Sequence, residues 1–427
     1  MKKKSLLFIL LICIFADAAN MSLKQCLQYA LTNNSNLKMS VYDKKIAKKK
    51  IDMQISSMLP QISGSGNMAY DLQNGSAIEK TGNYGATASA ELNQSIYDPA
   101  FSTGLKGARI AEQKTTLSIE NVKEQTVYSV CCLYFQILIY QKQLDVYKRI
   151  VAATDTTLKA AEMKFANGAA KKIDVDNMKV SYNNSCSRVR QIKLNYEQKL
   201  NILKNEMGLT VDSQLVLIDT LDSISVNAES ESLKEKYWEK RNDYKQLQND
   251  LEIQKIEKKL AVAGYLPSLS YNMSGVYQSI SDGFTMKDRW NTDVSFGLSL
   301  SIPVFDGFQK KTRIEQYNLS IEKAKENIAG TELSIKVDVS NYEIQLRIAI
   351  DNVKNEEANF TLAEDIYKNT RLSFQQGAAS TVEMVQAESS MRETENNYFN
   401  TILSYYNAMF ALELAKGDIM KYTKENR

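Results

Sequence analysis

The thirteen residues from Phe165, FANGAAKKIDVDN, return 209 positions later as FQQGAASTVEMVQ from Phe374. Each copy holds one glycine, Gly168 or Gly377, at the end of a very long helical pattern and just before a second one. Glycine adopts positive φ at little cost, so each stretch reads as the tight turn of a helical hairpin. The rest of the chain repeats on the same spacing. Leu59-Pro60 returns as Leu266-Pro267, Tyr97-Asp98 as Phe305-Asp306 and Gly208 as Gly417, while SLKQCLQYALTNNSNLK from Ser22 is answered by SLKEKYWEKRNDYKQL from Ser232. The offsets stay between 207 and 210, so register drifts only in connectors. Such a chain folds as two copies of one unit: a helix, a strand pair, a very long helix and a return helix.

The spacing predicts a first helix from Ser22, its N-cap, to Met58, with Leu23, Cys26, Leu27 and Ala30 on one face. From Pro99 no credible breaker occurs until Gly168, and about 66 residues at 1.5 Å each give a rod of about 100 Å. Within it Val130, Leu133, Ile137, Tyr140, Leu144, Tyr147, Val151, Thr154, Leu158, Ala161 and Phe165 alternate steps of three and four, a heptad seam. Shifting that seam by 209 gives Val339, Tyr342, Leu346, Ala349, Val353, Glu356, Phe360, Ala363, Tyr367, Thr370 and Phe374, nine of eleven apolar. The fold is therefore duplicated along the rods and not at the turns alone. The first return helix resumes near Ile173 and stops at Met207. With 4 Pro and 17 Gly in 427 residues, helix has to dominate.

After Pro60 the period changes to two. Ile62, Gly64, Gly66, Met68 and Tyr70 alternate with Gln61, Ser63, Ser65 and Asn67; after the polar loop DLQNGSAIEKTGN, Tyr84, Ala86, Ala88, Ala90, Leu92 and Ile96 resume the apolar side. The second pair is clearer. Leu269, Tyr271, Met273, Gly275 and Tyr277 form one face of its first strand, and Trp290, Thr292, Val294, Phe296, Leu298, Leu300 and Ile302 one face of its second. Such strand pairs, 61–96 and 268–302, have the alternation of outer-membrane strands, although a soluble sheet packed on a core alternates too. Tyr277 and Trp290 flank the loop SDGFTMKDR as interfacial girdle residues would, which favours the membrane reading.

The opening MKKKSLLFILLICIFADAAN has three lysines, an apolar run from Leu6 to Phe15 and the small-x-small site Ala16-Asp17-Ala18, the pattern of a Sec signal peptide removed near Ala18. Cys13 lies inside the apolar run and not at the cleavage point, so lipoprotein anchoring is not expected. Cys26, Cys131, Cys132 and Cys186 are too few and too irregular for a disulfide framework and read as small buried apolar residues. Lys+Arg of 53 against Asp+Glu of 50, with both signs interspersed, gives no basic patch for nucleic acid. The chain contains no histidine, and so lacks the commonest general base and transition-metal ligand. Past the signal no eighteen-residue apolar run offers a transmembrane helix, so the exported product is either soluble or a membrane barrel. The sequence divides into the signal at 1–18, a first repeat at 19–208, a polar connector at 209–230 with a strand-like run at Leu215 to Ile218, and a second repeat at 231–427.

Strand pairs with an apolar face cannot stand open in lipid, because their unpaired edge groups would be stranded. Four strands are too few to close, and an eight-stranded barrel is filled by its own side chains, so a water-filled pore needs at least three copies, giving twelve strands. The twofold repeat, the L-P before each strand pair, the I-Y-D or V-F-D after it and the F-x-x-G turns together resemble the TolC-like outer-membrane efflux proteins, across almost the entire mature chain. That resemblance implies a mainly α protein with membrane β: a homotrimer joining a twelve-stranded outer-membrane barrel to a periplasmic α-helical barrel. It implies a passive duct and no enzyme, cofactor or metal. Its partners would be a periplasmic adaptor and an inner-membrane efflux transporter, with type I protein secretion as the alternative use.

In that family the two helical turns form the periplasmic tip where the adaptor docks. The resemblance carries this role to Phe165, Gly168, Ala169, Asp174 and Val175, and to Phe374, Gly377, Ala378, Glu383 and Met384. In the second turn the family has acids six and nine residues past the glycine that ring the closed entrance. Glu383 fits the first position and is the gate candidate, while Gln386 departs from the second. The alternative for Glu383 is a helix N-terminal acid favoured by the dipole. Asp174-Val175-Asp176 has no further metal ligands beside it and reads the same way, and Gly64-Ser65-Gly66 lacks the third glycine and following helix of a nucleotide loop. Two rivals from other classes are a soluble exported coiled-coil scaffold or adhesin, which leaves the strands unexplained, and an adaptor subunit, which would need lipoyl-like segments absent here.

Overall fold

Helix α1 (Leu23–Asn33) opens on the expected Ser22 cap, whose hydroxyl accepts from Gln25 N while Gln25 Oε1 accepts from Ser22 N. The expected single helix to Met58 is broken, however, at Asn34. Its Oδ1 accepts the amides of Asn36 and Leu37, and its Nδ2 donates to Glu206 O at 2.7 Å. One asparagine thereby starts helix α2 (Ser35–Ser56) and satisfies a carbonyl at the end of the first return helix. The computed structural model describes residues 19–72, 82–221, 236–281 and 290–424. The signal sequence, most of both strand-pair loops and the segment from Ser232 to position 235 lie outside the described residues.

Downstream the elements follow the predicted order. Strands β2 (Gln61–Leu72) and β3 (Gly82–Tyr97) precede helix α3 (Phe101–Ala166), of 66 residues, and helix α4 (Lys172–Met207) returns from the turn. The connector's strand-like run forms β4 (Leu215–Leu217), which pairs in parallel with a strand not foreseen, β1 (Ala19–Met21). Asp219 secures this pair: its Oδ2 accepts Leu23 N at 2.9 Å and the Tyr134 hydroxyl at 2.7 Å. In the second repeat a short 3-10 turn at Tyr237–Glu239 stands before α5 (Asn242–Ala263), so the described counterpart of the first helix is shorter than the alignment from Ser232 suggests. Strands β5 (Ser268–Ser281) and β6 (Asn291–Ser301), the long helix α6 (Gln309–Gln375) and the return helix α7 (Thr381–Lys416) follow, and a 3-10 turn at Ile419–Thr423 is the last described element. The D of each Y-D or F-D motif has a local purpose: Asp98 accepts Ala100 N, and Asp306 accepts Lys310 N, where α3 and α6 begin.

Two compact units result, and each draws on both repeats. The helical unit takes the described residues through Ser40, then Ile119–Tyr244 and everything from Thr331; the sheet unit takes Val41–Ser118 and Lys245–Gly330. Tyr134, Tyr147 and Phe410 are among the largest enclosed side chains of the helical unit, each gaining about 1.5–3 kcal/mol from burial. The Phe135 ring stacks on Tyr406 at 4.0 Å.

The seam read from the sequence is buried at Val130, Ile137, Tyr147, Thr154, Leu158 and Ala161, but the buried face of α3 is wider. Cys131, Tyr134, Leu138, Gln143, Val146, Ile150 and Thr157 are buried as well, because the helix packs against more than one neighbour. Its shifted copy on α6 is buried at Val339, Ala349, Val353, Ala363, Tyr367 and Phe374. Cys26 and Cys131 are buried free thiols as expected, and burial, followed by the charge of Asp219, pushes Cys26 up to about 12; Cys132 and Cys186 are only half-buried.

Candidate functional site

In the sheet unit β2, β3, β5 and β6 form one antiparallel sheet in that order, with β3 and β5 joining the two repeats. The register aligns the alternations of all four strands. Ile62, Leu92, Met273 and Phe296 lie in one row, and Gly64, Ala90, Gly275 and Val294 in the next. The opposite face carries rows such as Ser63, Glu91, Ser274 and Ser295, with hydroxyl pairs Ser65–Ser89 and Ser274–Ser295, each at 2.8 Å. One face is therefore apolar and the other polar across its whole width.

The apolar face is open: Ile62 and Phe296 are each 77% exposed, and Met68, Val294, Leu298 and Leu300 are exposed as well. A sheet packed on a soluble core would cover such a face. Among the described residues the edges β2 and β6 pair on one side only. Tyr277 and Trp290, predicted as a flanking pair, are brought together with their rings stacked at 4.6 Å.

The two helical turns lie in the helical unit and have the same backbone. Gly168 and Gly377 are left-handed, with φ of 72° and 81°. Gly168 N donates to Phe165 O and Ala169 N to Lys164 O; Gly377 N donates to Phe374 O and Ala378 N to Ser373 O. These paired bonds satisfy the last carbonyls of each long helix. The acid six residues past each glycine closes the next helix start. Asp174 accepts Lys171 N, and Glu383 accepts both Ser380 N and the Ser380 hydroxyl while Ser380 Oγ accepts Glu383 N. The bonds from Ser380 hold the Glu383 carboxyl below the usual carboxylate range.

The side chains differ between the turns. Phe165 is 46% exposed whereas its counterpart Phe374 is 3% exposed. Phe374 belongs to the buried apolar core, and Lys164 caps it: its Nζ donates to Phe374 O at 2.7 Å and stands 4.4 Å over the Phe374 ring. Of the predicted tip residues, Phe165, Gly168, Ala169, Gly377, Ala378 and Glu383 are exposed, Asp174 and Val175 half-buried, and Met384 is enclosed with Phe374. Neither Lys164 nor Ser380 was singled out from sequence, although Ser380 three residues before Glu383 is a capping-box spacing.

A sequence profile described as "Outer membrane efflux protein" matches residues 26–209 and 239–418, one segment in each repeat. The chain belongs to the outer membrane efflux protein family. Among its relatives, outer membrane protein TolC of Escherichia coli strain K12 is 24% identical, covering 92% of this chain and 82% of that protein. Cation efflux system protein CusC of the same strain is 21% identical, covering 90% and 86%. The fold matches the outer-membrane channel OprN with a TM-score of 0.73 at 12% identity, over 95% of this chain and 94% of that one. It matches the Campylobacter jejuni CmeC outer membrane channel with a TM-score of 0.72 at 16% identity, over 94% and 89%. The open apolar face is thus that of an outer-membrane protein. Among the described residues no helix is long and apolar enough to cross a membrane.

Proposed function

We propose that three copies of this chain pool their sheets into a twelve-stranded barrel, and that the assembly is a passive export duct with a long periplasmic helical extension. It would receive small molecules from an inner-membrane transporter through a periplasmic adaptor. The observation that carries this reading is the sheet, with an open apolar face and β2 and β6 as its edges. In hydrocarbon each unpaired edge group costs several kcal/mol, so β6 of one copy has to meet β2 of the next until the ring closes. Three copies are the fewest that leave a lumen wide enough for water. The polar rows headed by Ser63 and Gln61 would then line that lumen, and Tyr277 with Trp290 would sit at the lipid boundary.

The helical turns serve as the docking end. Phe165, Gly168, Ala169, Gly377 and Ala378 offer the contact surface to the adaptor, Asp174 and Val175 border it, and Phe374 and Met384 support it from beneath. Glu383, kept ionised by its bonds to Ser380, is the entrance residue; three such acids near one axis repel one another and favour cations. The duct conducts and does not transform its cargo. The test is Gly377→Pro: with φ at 81° the ring of proline cannot be accommodated, so the turn must rearrange. The protein is expected to remain assembled in the outer membrane, lose co-purification with the adaptor and lose efflux. Unchanged efflux would refute the docking assignment.

A further inference from the structure

Return helix α7 buries Met384, Glu388, Met391, Glu395, Phe399 and Ile402 in steps of three and four, a seam with carboxylates at two of its six positions. Both acids are fully enclosed. Glu388 Oε1 accepts the Ser185 hydroxyl at 2.9 Å and lies 3.6 Å from Arg392 Nη1, but its Oε2 has no partner. Among the described residues neither oxygen of Glu395 has a partner in full hydrogen-bond geometry, although the Tyr147 hydroxyl stands close enough to favour its ionised form. On the helices that share this seam, Ser181 Oγ and Arg371 Nε are likewise buried without partners among the described residues, and Thr154 Oγ1 and Tyr367 OH face each other short of full hydrogen-bond geometry. Native interiors leave few such atoms unpaired, so a group of them along one seam calls for an explanation.

The groups facing Glu395 do not neutralise it. They are Tyr147 and Arg149 on α3, Arg188 on α4 and Glu364 on α6. Arg188 is engaged elsewhere, donating to Asn396 Oδ1 and lying over the Tyr147 ring, and Glu364 is itself an acid. Burial outweighs the pull of Tyr147 and the arginines and raises the Glu395 carboxyl to about 8. An ionised carboxylate in this position would need water or an opening of the seam.

We infer that Glu395 is a proton-operated latch in the helical unit: protonated, it packs neutral and holds α7 against α3 and α4; ionised, it draws water into the seam and loosens α7. The direction follows from the raised pKa. In the acidic range both packed and opened states hold the proton, and the seam is at its tightest. As pH rises past the ordinary carboxylate range the opened state ionises first, so packing weakens by up to tenfold per pH unit until about 8, and then levels off.

The experiment is hydrogen exchange on the full chain in detergent, read at the amides of 391–402 and corrected for the intrinsic pH dependence of exchange. Protection is expected to fall at least about tenfold between roughly pH 5.5 and pH 8.5. Glu395→Gln, neutral at every pH, should keep the acid-pH protection throughout. A wild-type profile without this slope, or a slope retained in Glu395→Gln, would overturn the assignment. The wild-type profile decides by itself should the variant fail to fold.

Discussion

Gly168 and Gly208 have nearly the same φ, 72° and 74°, and different surroundings. A Cβ at Gly168 would meet nothing within 4 Å, whereas one at Gly208 would come within 2.5 Å of Asn33 O. Gly168→Ala should therefore cost only the left-handed penalty, about 1–2 kcal/mol. Gly208→Ala should cost clearly more, because the backbone between α1 and α2 must also move. Thermal unfolding of the two variants in the same detergent checks this, and equal shifts would mean that the Asn33 contact yields freely. At this scale the sequence revealed which glycines turn the chain, since each ends a long periodic run. It could not reveal that Phe165 and Phe374 have unlike burial, because that is set by tertiary neighbours: Phe374 joins the apolar core and is capped by Lys164 from the other turn.

For the elements, the alternation along each strand was legible and so was its apolar side, because a period of two fixes the face whatever the pairing partner. The joining of β3 to β5 was not legible, since register between strands about 180 residues apart is set by their neighbours and not by local pattern. The break at Asn34 was hidden as well. The apolar spacing runs through it, and only the contact with Glu206 discloses the second role of that side chain. The rows of the sheet make a prediction that its pattern alone could not place. Phe296→Arg on the apolar face should reduce the amount of assembled protein recovered from the outer membrane, with a cost of about 2–4 kcal/mol near the membrane centre. Ser295→Arg, one residue away on the polar face, should be recovered at nearly wild-type levels. Equal recovery of the two would count against lipid contact.

For the molecule as a whole, a sheet that exposes its apolar rows and leaves two edges half-paired has no stable single-chain form in water. The mature protein should sediment as a trimer in detergent and precipitate when the detergent is removed; a monomer that stays dissolved without it would end the duct reading. The duplication also leaves a consequence at the turns. Both copies bend the backbone identically, yet one rests on a lysine-clamped, enclosed phenylalanine and the other leaves its phenylalanine in the open. Three chains would therefore present six bends of two chemical kinds, and a visiting protein that reads shape would count six footholds where one that reads side chains would count three.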